Sequence, residues 1–193
     1  FTLELFVFFL PSFLLCFLVI CFLAACYEWH NMTKNFYQKI IGIIFLTFSL
    51  YTFYKISVNI SAVFILILIC VSTDVGGYVF GKLIKGPKLT KISPNKTYAG
   101  MLGGYFLSII SSTLVISFTD ISLPYFQFIV IVIFISTVSQ LGDIIISYFK
   151  RLSKIKNTGK LIPGHGGLLD RIDGMIFVFP FYYFLSAIGF LFI

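Results

Sequence analysis

Four carboxylates and a run of cations carry the chemistry this chain can do. Asp74, Asp143, Asp170 and Asp173 are four of only seven acidic residues. The segment 147–173, SYFKRLSKIKNTGKLIPGHGGLLDRID, holds six of the fourteen lysines and arginines and a Pro-Gly-His-Gly-Gly run. Carboxylates at one depth offer hard oxygen ligands to a divalent cation. Lysines and arginines beside them would hold phosphate oxygens. Glycines around His165 let backbone N–H groups approach an anion closely. The same glycine-rich composition also serves a tight turn before a helix, and the residues alone leave both readings open.

The chain that positions these groups is apolar. It has 193 residues, 59% of them hydrophobic and 11% charged, with mean hydropathy +1.04. Those values exclude an ordinary soluble domain. Apolar runs long enough to cross a hydrocarbon core of ~30 Å recur near 3–27, 39–56, 60–80, 99–118, 124–148 and 173–193. The expected fold is an all-α polytopic membrane protein of about six transmembrane helices. Continuous apolar stretches such as 40–50 and 129–135 exclude the alternation of a barrel strand. The chain is expected to form one integral membrane domain, with N-terminal helices over 1–60 and a catalytic region over 61–193. Cys16, Cys21, Cys26 and Cys70 lie in apolar runs without metal-ligand spacing, and are expected as free thiols.

Charge sets the expected orientation. The loops 30–39, 82–98 and 149–172 contain every lysine and arginine except Lys55. The positive-inside rule makes that side cytoplasmic. The net charge of +7 therefore reflects topology and anionic lipid headgroups, with no nucleic acid required. Tyr27 and Trp29 read as an aromatic anchor at the interface, with Glu28 beside it.

The four carboxylates come from three separate spans and reach similar depth on the basic side. In the fifth span Ser136, Gln140, Asp143, Ser147 and Lys150 follow a 4-3-4-3 spacing and form one polar stripe. Such a stripe must face protein or a wet cavity. Asp170 and Asp173, at i and i+3, share a face at the start of the last helix. A helix cap is the structural alternative for that pair. In the loop before the fourth span, Ser93 or Thr97 would cap the helix with Lys96 beside its N–H groups. Gly76–Lys82 follows a P-loop for seven positions, but Leu83 stands where Ser or Thr must bind magnesium, so that motif is set aside.

At these residues the chain resembles the phosphatidate cytidylyltransferases (CDP-diacylglycerol synthases), whose signature runs S-x-x-K-R-x4-K-D and then P-G-H-G-G-x-x-D-R-x-D. Ser147, Lys150, Arg151, Lys156, Pro163, Gly164, His165, Gly166, Gly167, Asp170, Arg171 and Asp173 stand in register with it. Ser93–Thr97 resembles the family's S-P-x-K-T element, Thr73–Tyr78 its A-D-x-G-A-Y segment, and Gln140–Asp143 its G-Q-L-G-D. The likeness is clear over 70–173 and extends weakly to Glu28-Trp29. Departures are Asn157 for Asp, Ile146 for Glu and Ala99 for an acid or amide.

The resemblance implies condensation of CTP with phosphatidate to CDP-diacylglycerol and pyrophosphate. It implies Asp143, Asp170, Asp173, Lys150 and Arg171 as catalytic residues. Asp74, Asp143, Asp170 and Asp173 would hold Mg²⁺, with room for a second cation. Ser93, Lys96, Thr97, Ser147, Arg151, Lys156, His165, Gly166 and Gly167 would bind substrate. A homodimer in a bacterial cytoplasmic (inner) membrane is expected, its site facing the cytoplasm. The alternatives are a CTP-dependent lipid-alcohol kinase and a catalytically impaired homologue that binds lipid.

Overall fold

The computed structural model describes residues 2–90, 92–118, 124–159, 161 and 166–189, with side chains from Cys16 onward except that of Phe17. The helices are α1 (Thr2–Met32), α2 (Phe36–Ile56), α3 (Ile60–Ile84), α4 (Tyr98–Ile116), α5 (Tyr125–Leu152), the single turn α6 (Leu169–Ile172) and α7 (Met175–Ala187). Among the described residues there is no strand; one isolated bridge joins Lys88 to Thr97. Within a bilayer every backbone polar group must be satisfied by the segment itself, which apolar helices achieve. Helices α2 to α5 are long and apolar enough to cross, and α7 is a shorter apolar helix. The protein is thus an integral, polytopic, all-helical membrane protein, as its composition leads one to expect.

Short polar side chains end the helices where the sequence places them. Asn35 caps α2 by accepting from the Tyr37 N–H at 3.1 Å, and Asn59 caps α3 by accepting from Ala62 at 3.1 Å. Between α3 and α4 the chain reverses at Lys85 and Gly86, both at positive φ (57° and 108°). Leu89 then donates to the Lys96 carbonyl at 2.7 Å, folding the connection back on itself.

Helices α3 and α4 form the most extensive pairing in the bundle. Small residues allow it. A Cβ on Gly76 would run into the Gly103 carbonyl, so the two backbones meet directly. Gly76→Val should therefore cost about 1–3 kcal/mol, read as a lower denaturant midpoint in lipid micelles. Hydroxyls join neighbouring helices across the apolar interior. Ser111 donates to Ser72 at 2.7 Å and Thr73 to Ser136 at 2.8 Å, while Tyr105 and Thr137 meet at 2.9 Å. The outward faces carry exposed apolar side chains such as Ile41, Phe64, Leu102 and Leu114, as a lipid-facing surface must.

Two buried clusters hold the remainder together. One centres on Leu66, Ile69, Val132, Ile135 and Val178. The other packs Trp29, Met32, Leu46, Ile146, Leu169 and Ile176. Trp29 is therefore not the interfacial anchor that its neighbours suggested. It is buried, donates from Nε1 to the Gln38 carbonyl at 3.0 Å, and lies against Gly42, while Tyr27 is exposed. The last apolar run is preceded by the single turn α6 and continues into α7 through Asp173 and Gly174, whose backbone angles stay helical.

Candidate functional site

The polar stripe of α5 faces protein, and four of its five residues meet other elements. Ser136 accepts from Thr73 of α3, and Gln140 reaches toward the Met101 carbonyl of α4 at 3.5 Å. One turn on, Asp143 accepts from Ser147 at 3.3 Å and pairs with Lys96 at 2.5 Å. Lys150, at the end of the stripe, pairs with Asp170 at 2.9 Å.

A cavity of about 290 Å³ opens between α3, α4 and α5. Its polar lining includes Asp74, Ser93, Lys96, Thr97, Gln140 and Asp143. The α3–α4 connection builds one wall. Thr97 caps α4, accepting from the Gly100 N–H at 3.1 Å, and the Ser93 N–H donates to the Thr90 hydroxyl at 3.1 Å. Lys96 departs from its expected place beside the helix N–H groups and reaches across to Asp143 instead.

Asp173 is buried in the junction between α6 and α7, where the Gly174 N–H donates to its Oδ1 at 2.9 Å. Burial and then the charge of Asp143 push its carboxyl up to about 8, with Lys150 opposing them. Asp74 adds to the same negative field. Asp170 behaves differently. Burial alone would raise it, but hydrogen bonds from Lys150, Thr158 and Gly167 hold it below the usual carboxylate range. The Thr158 and Gly167 N–H groups both donate to Oδ2, at 2.9 and 3.1 Å.

The expected quartet of Asp74, Asp143, Asp170 and Asp173 is thus not one group. Among the described residues, no three acidic, histidine or cysteine side chains are arranged to hold a metal ion together. Asp170 and Asp173 have different partners, Asp170 taking Lys150 and the Thr158 and Gly167 N–H groups and Asp173 the Gly174 N–H, although the backbone between them stays helical. Asp143 lies close enough to Asp173 and to Asp74 for their charges to act on one another, and carboxylate oxygens are the donors that a hard divalent cation takes.

The remaining expected residues differ in burial. Ser147 is buried against Asp143. Arg151 is exposed and donates to the Ile155 carbonyl at 3.3 Å; Lys156 and Arg171 are exposed as well. Gly167 is buried and Gly166 is half-buried at φ 89°, a conformation that favours glycine. His165 lies outside the described residues.

One residue of this region was not expected. Glu28, near the end of α1, is 1% exposed and receives three hydrogen bonds. They come from the Thr158 hydroxyl at 3.0 Å and the Leu168 and Leu169 N–H groups at 2.9 and 2.8 Å. The sequence signals were an acid in an otherwise apolar run and the weak extension of the family likeness to Glu28-Trp29.

Fold and site together define a polytopic helical membrane protein with one mixed acidic and basic centre at the edge of its bundle. Over residues 39–188 the chain matches the cytidylyltransferase family, and it belongs to that family. It is 42% identical over 118 residues to the phosphatidate cytidylyltransferase of Bacillus subtilis, covering 61% of this chain and 44% of that protein. It is 43% identical over 109 residues to the enzyme of that name from Staphylococcus saprophyticus, covering 56% and 42%. With the one from Staphylococcus aureus (strain COL) it shares 42% identity over 109 residues. The chain spans less than half the length of these curated relatives.

Proposed function

We propose that this chain carries the site of a phosphatidate cytidylyltransferase, which joins CTP to phosphatidate and releases pyrophosphate. A phosphatidate oxygen attacks the α-phosphorus of CTP, forming a new P–O bond as the bond to pyrophosphate breaks. No protein nucleophile is needed. The protein's task is to align two polyanions and to neutralise their charge. The observation that carries this reading is the meeting of Asp74, Asp143 and Lys96 in one cavity, in a chain of the cytidylyltransferase family.

Ser93, Lys96 and Thr97 hold the lipid phosphate at the α3–α4 wall. Lys150, Arg151, Lys156 and Arg171 hold the triphosphate and the departing pyrophosphate. Ser147, Gly166, Gly167 and His165 shape the nucleotide side, and Asp170 keeps Lys150 in place. Asp143 and Asp173, with Asp74 beside them, would hold Mg²⁺, which supplies positive charge to the reacting phosphates. The protein works in a bacterial cytoplasmic membrane with this edge toward the cytoplasm, and as a homodimer. The lysine and arginine bias supports the orientation, and the bacterial relatives support the membrane.

The test is product analysis with α-labelled CTP and phosphatidate in micelles, with Mg²⁺ or with EDTA. Metal-dependent label in lipid together with pyrophosphate is the expected result. Phosphorylated lipid with CDP would make the protein a lipid kinase. A folded protein that transfers nothing would overturn the activity and point to Asn157 as a disabling departure.

A further inference from the structure

Glu28 stands outside the segment that matches the family, yet it grips the connection leading into α6. Its Oε2 accepts from the Thr158 hydroxyl and the Leu169 N–H, and its Oε1 accepts from the Leu168 N–H. Asp170 grips the same two strands of chain from the other side, through the N–H groups of Thr158 and Gly167. Two carboxylates therefore clasp Thr158 to the turn at 167–169. Asp170 in turn holds Lys150 on α5. Gly167 fits only because it lacks a side chain, since a Cβ there would collide with the Thr158 hydroxyl.

We propose that Glu28 is a positioning residue for the nucleotide. It holds the turn before α6 so that the Gly166-Gly167 backbone and the Lys150–Asp170 pair keep the geometry in which they meet the triphosphate. This inference rests on the cytidylyltransferase reading. The chemistry of the clasp is specific. A carboxylate can accept from all three donors at once, whereas an amide of equal size must turn an NH₂ toward at least one backbone N–H. Buried as it is, that donor would be left unpaired.

The experiment compares the full chain with Glu28→Gln and, as a milder isosteric change at the other end of the clasp, Thr158→Val. Two readouts are needed, steady-state kinetics for both substrates and amide exchange across residues 166–170. For Glu28→Gln the KM for CTP should rise about tenfold or more, while kcat and the KM for phosphatidate stay within about twofold. Exchange at 168 and 169 should quicken by about tenfold. The double variant should be no worse than Glu28→Gln alone, because both substitutions break one clasp. Equal rises in both KM values, strictly additive effects, or unchanged exchange at 168 and 169 would overturn the proposal. A wild-type protein that transfers no label would remove the cytidylyltransferase reading instead, and the exchange arm would then decide whether the clasp exists.

Discussion

Asp143→Asn is expected to lower label transfer from CTP to lipid by about 10²–10³-fold while leaving the protein folded. Asn keeps the volume of the side chain and can still accept from Ser147, so packing on α5 has no reason to change. What is lost is the charge at the centre of the site. Asp143 pairs with Lys96, lines the cavity beside Asp74 and lies close to the buried Asp173. Asp143 thereby connects the α3–α4 wall of the cavity to the α6–α7 junction. Turnover under saturating substrates and the thermal midpoint in micelles would be measured together. Near-normal turnover would remove Asp143 from the mechanism, and a collapsed midpoint would show that its role is structural.

Asp170→Ala should be the most destabilising single change around the site, costing about 3–5 kcal/mol. The Lys150 and Asp170 side chains are 10% and 12% exposed, so the lysine left behind stays largely out of water. The N–H groups of Thr158 and Gly167 lose their acceptor in the same step. Lys150→Met should cost less, because Asp170 retains both backbone donors and Met fills the vacated volume. Denaturant unfolding of the two variants in identical micelles gives the comparison. If Lys150→Met is the worse of the two, the ion pair and not the backbone clasp dominates that corner.

Much of this architecture is legible one residue at a time. The 4-3-4-3 spacing on α5 identifies a protein-facing stripe because helical geometry leaves no other way to align those side chains. Thr97 caps α4 because its partner, Gly100, is three residues away. Local bonds of this kind are written in local sequence. Glu28 is the opposite case, since its three partners lie 130 to 141 residues further on. Nothing nearby distinguishes a clasp from an interfacial acid, and Trp29 next to it invited the second reading. Gly174 is a similar case, since a Cβ there would strike Ser139 of α5, a close approach to a distant helix that local sequence does not announce. Lys96 could be assigned to an anion site from its neighbours, but its carboxylate partner belongs to another helix.

The direct backbone contact between α3 and α4 also governs how the cavity can widen. Helices whose backbones meet as closely as at Gly76 and Gly103 slide or hinge poorly, so α3 and α4 would move as one arm. That arm carries Asp74 on α3 and Lys96 and Thr97 at the start of α4, all lining the same cavity. The opposing wall, Gln140 and Asp143, belongs to α5 and touches the arm through side chains. Widening the cavity therefore means parting α4 from α5, along a doorway whose bolt is the Lys96–Asp143 pair.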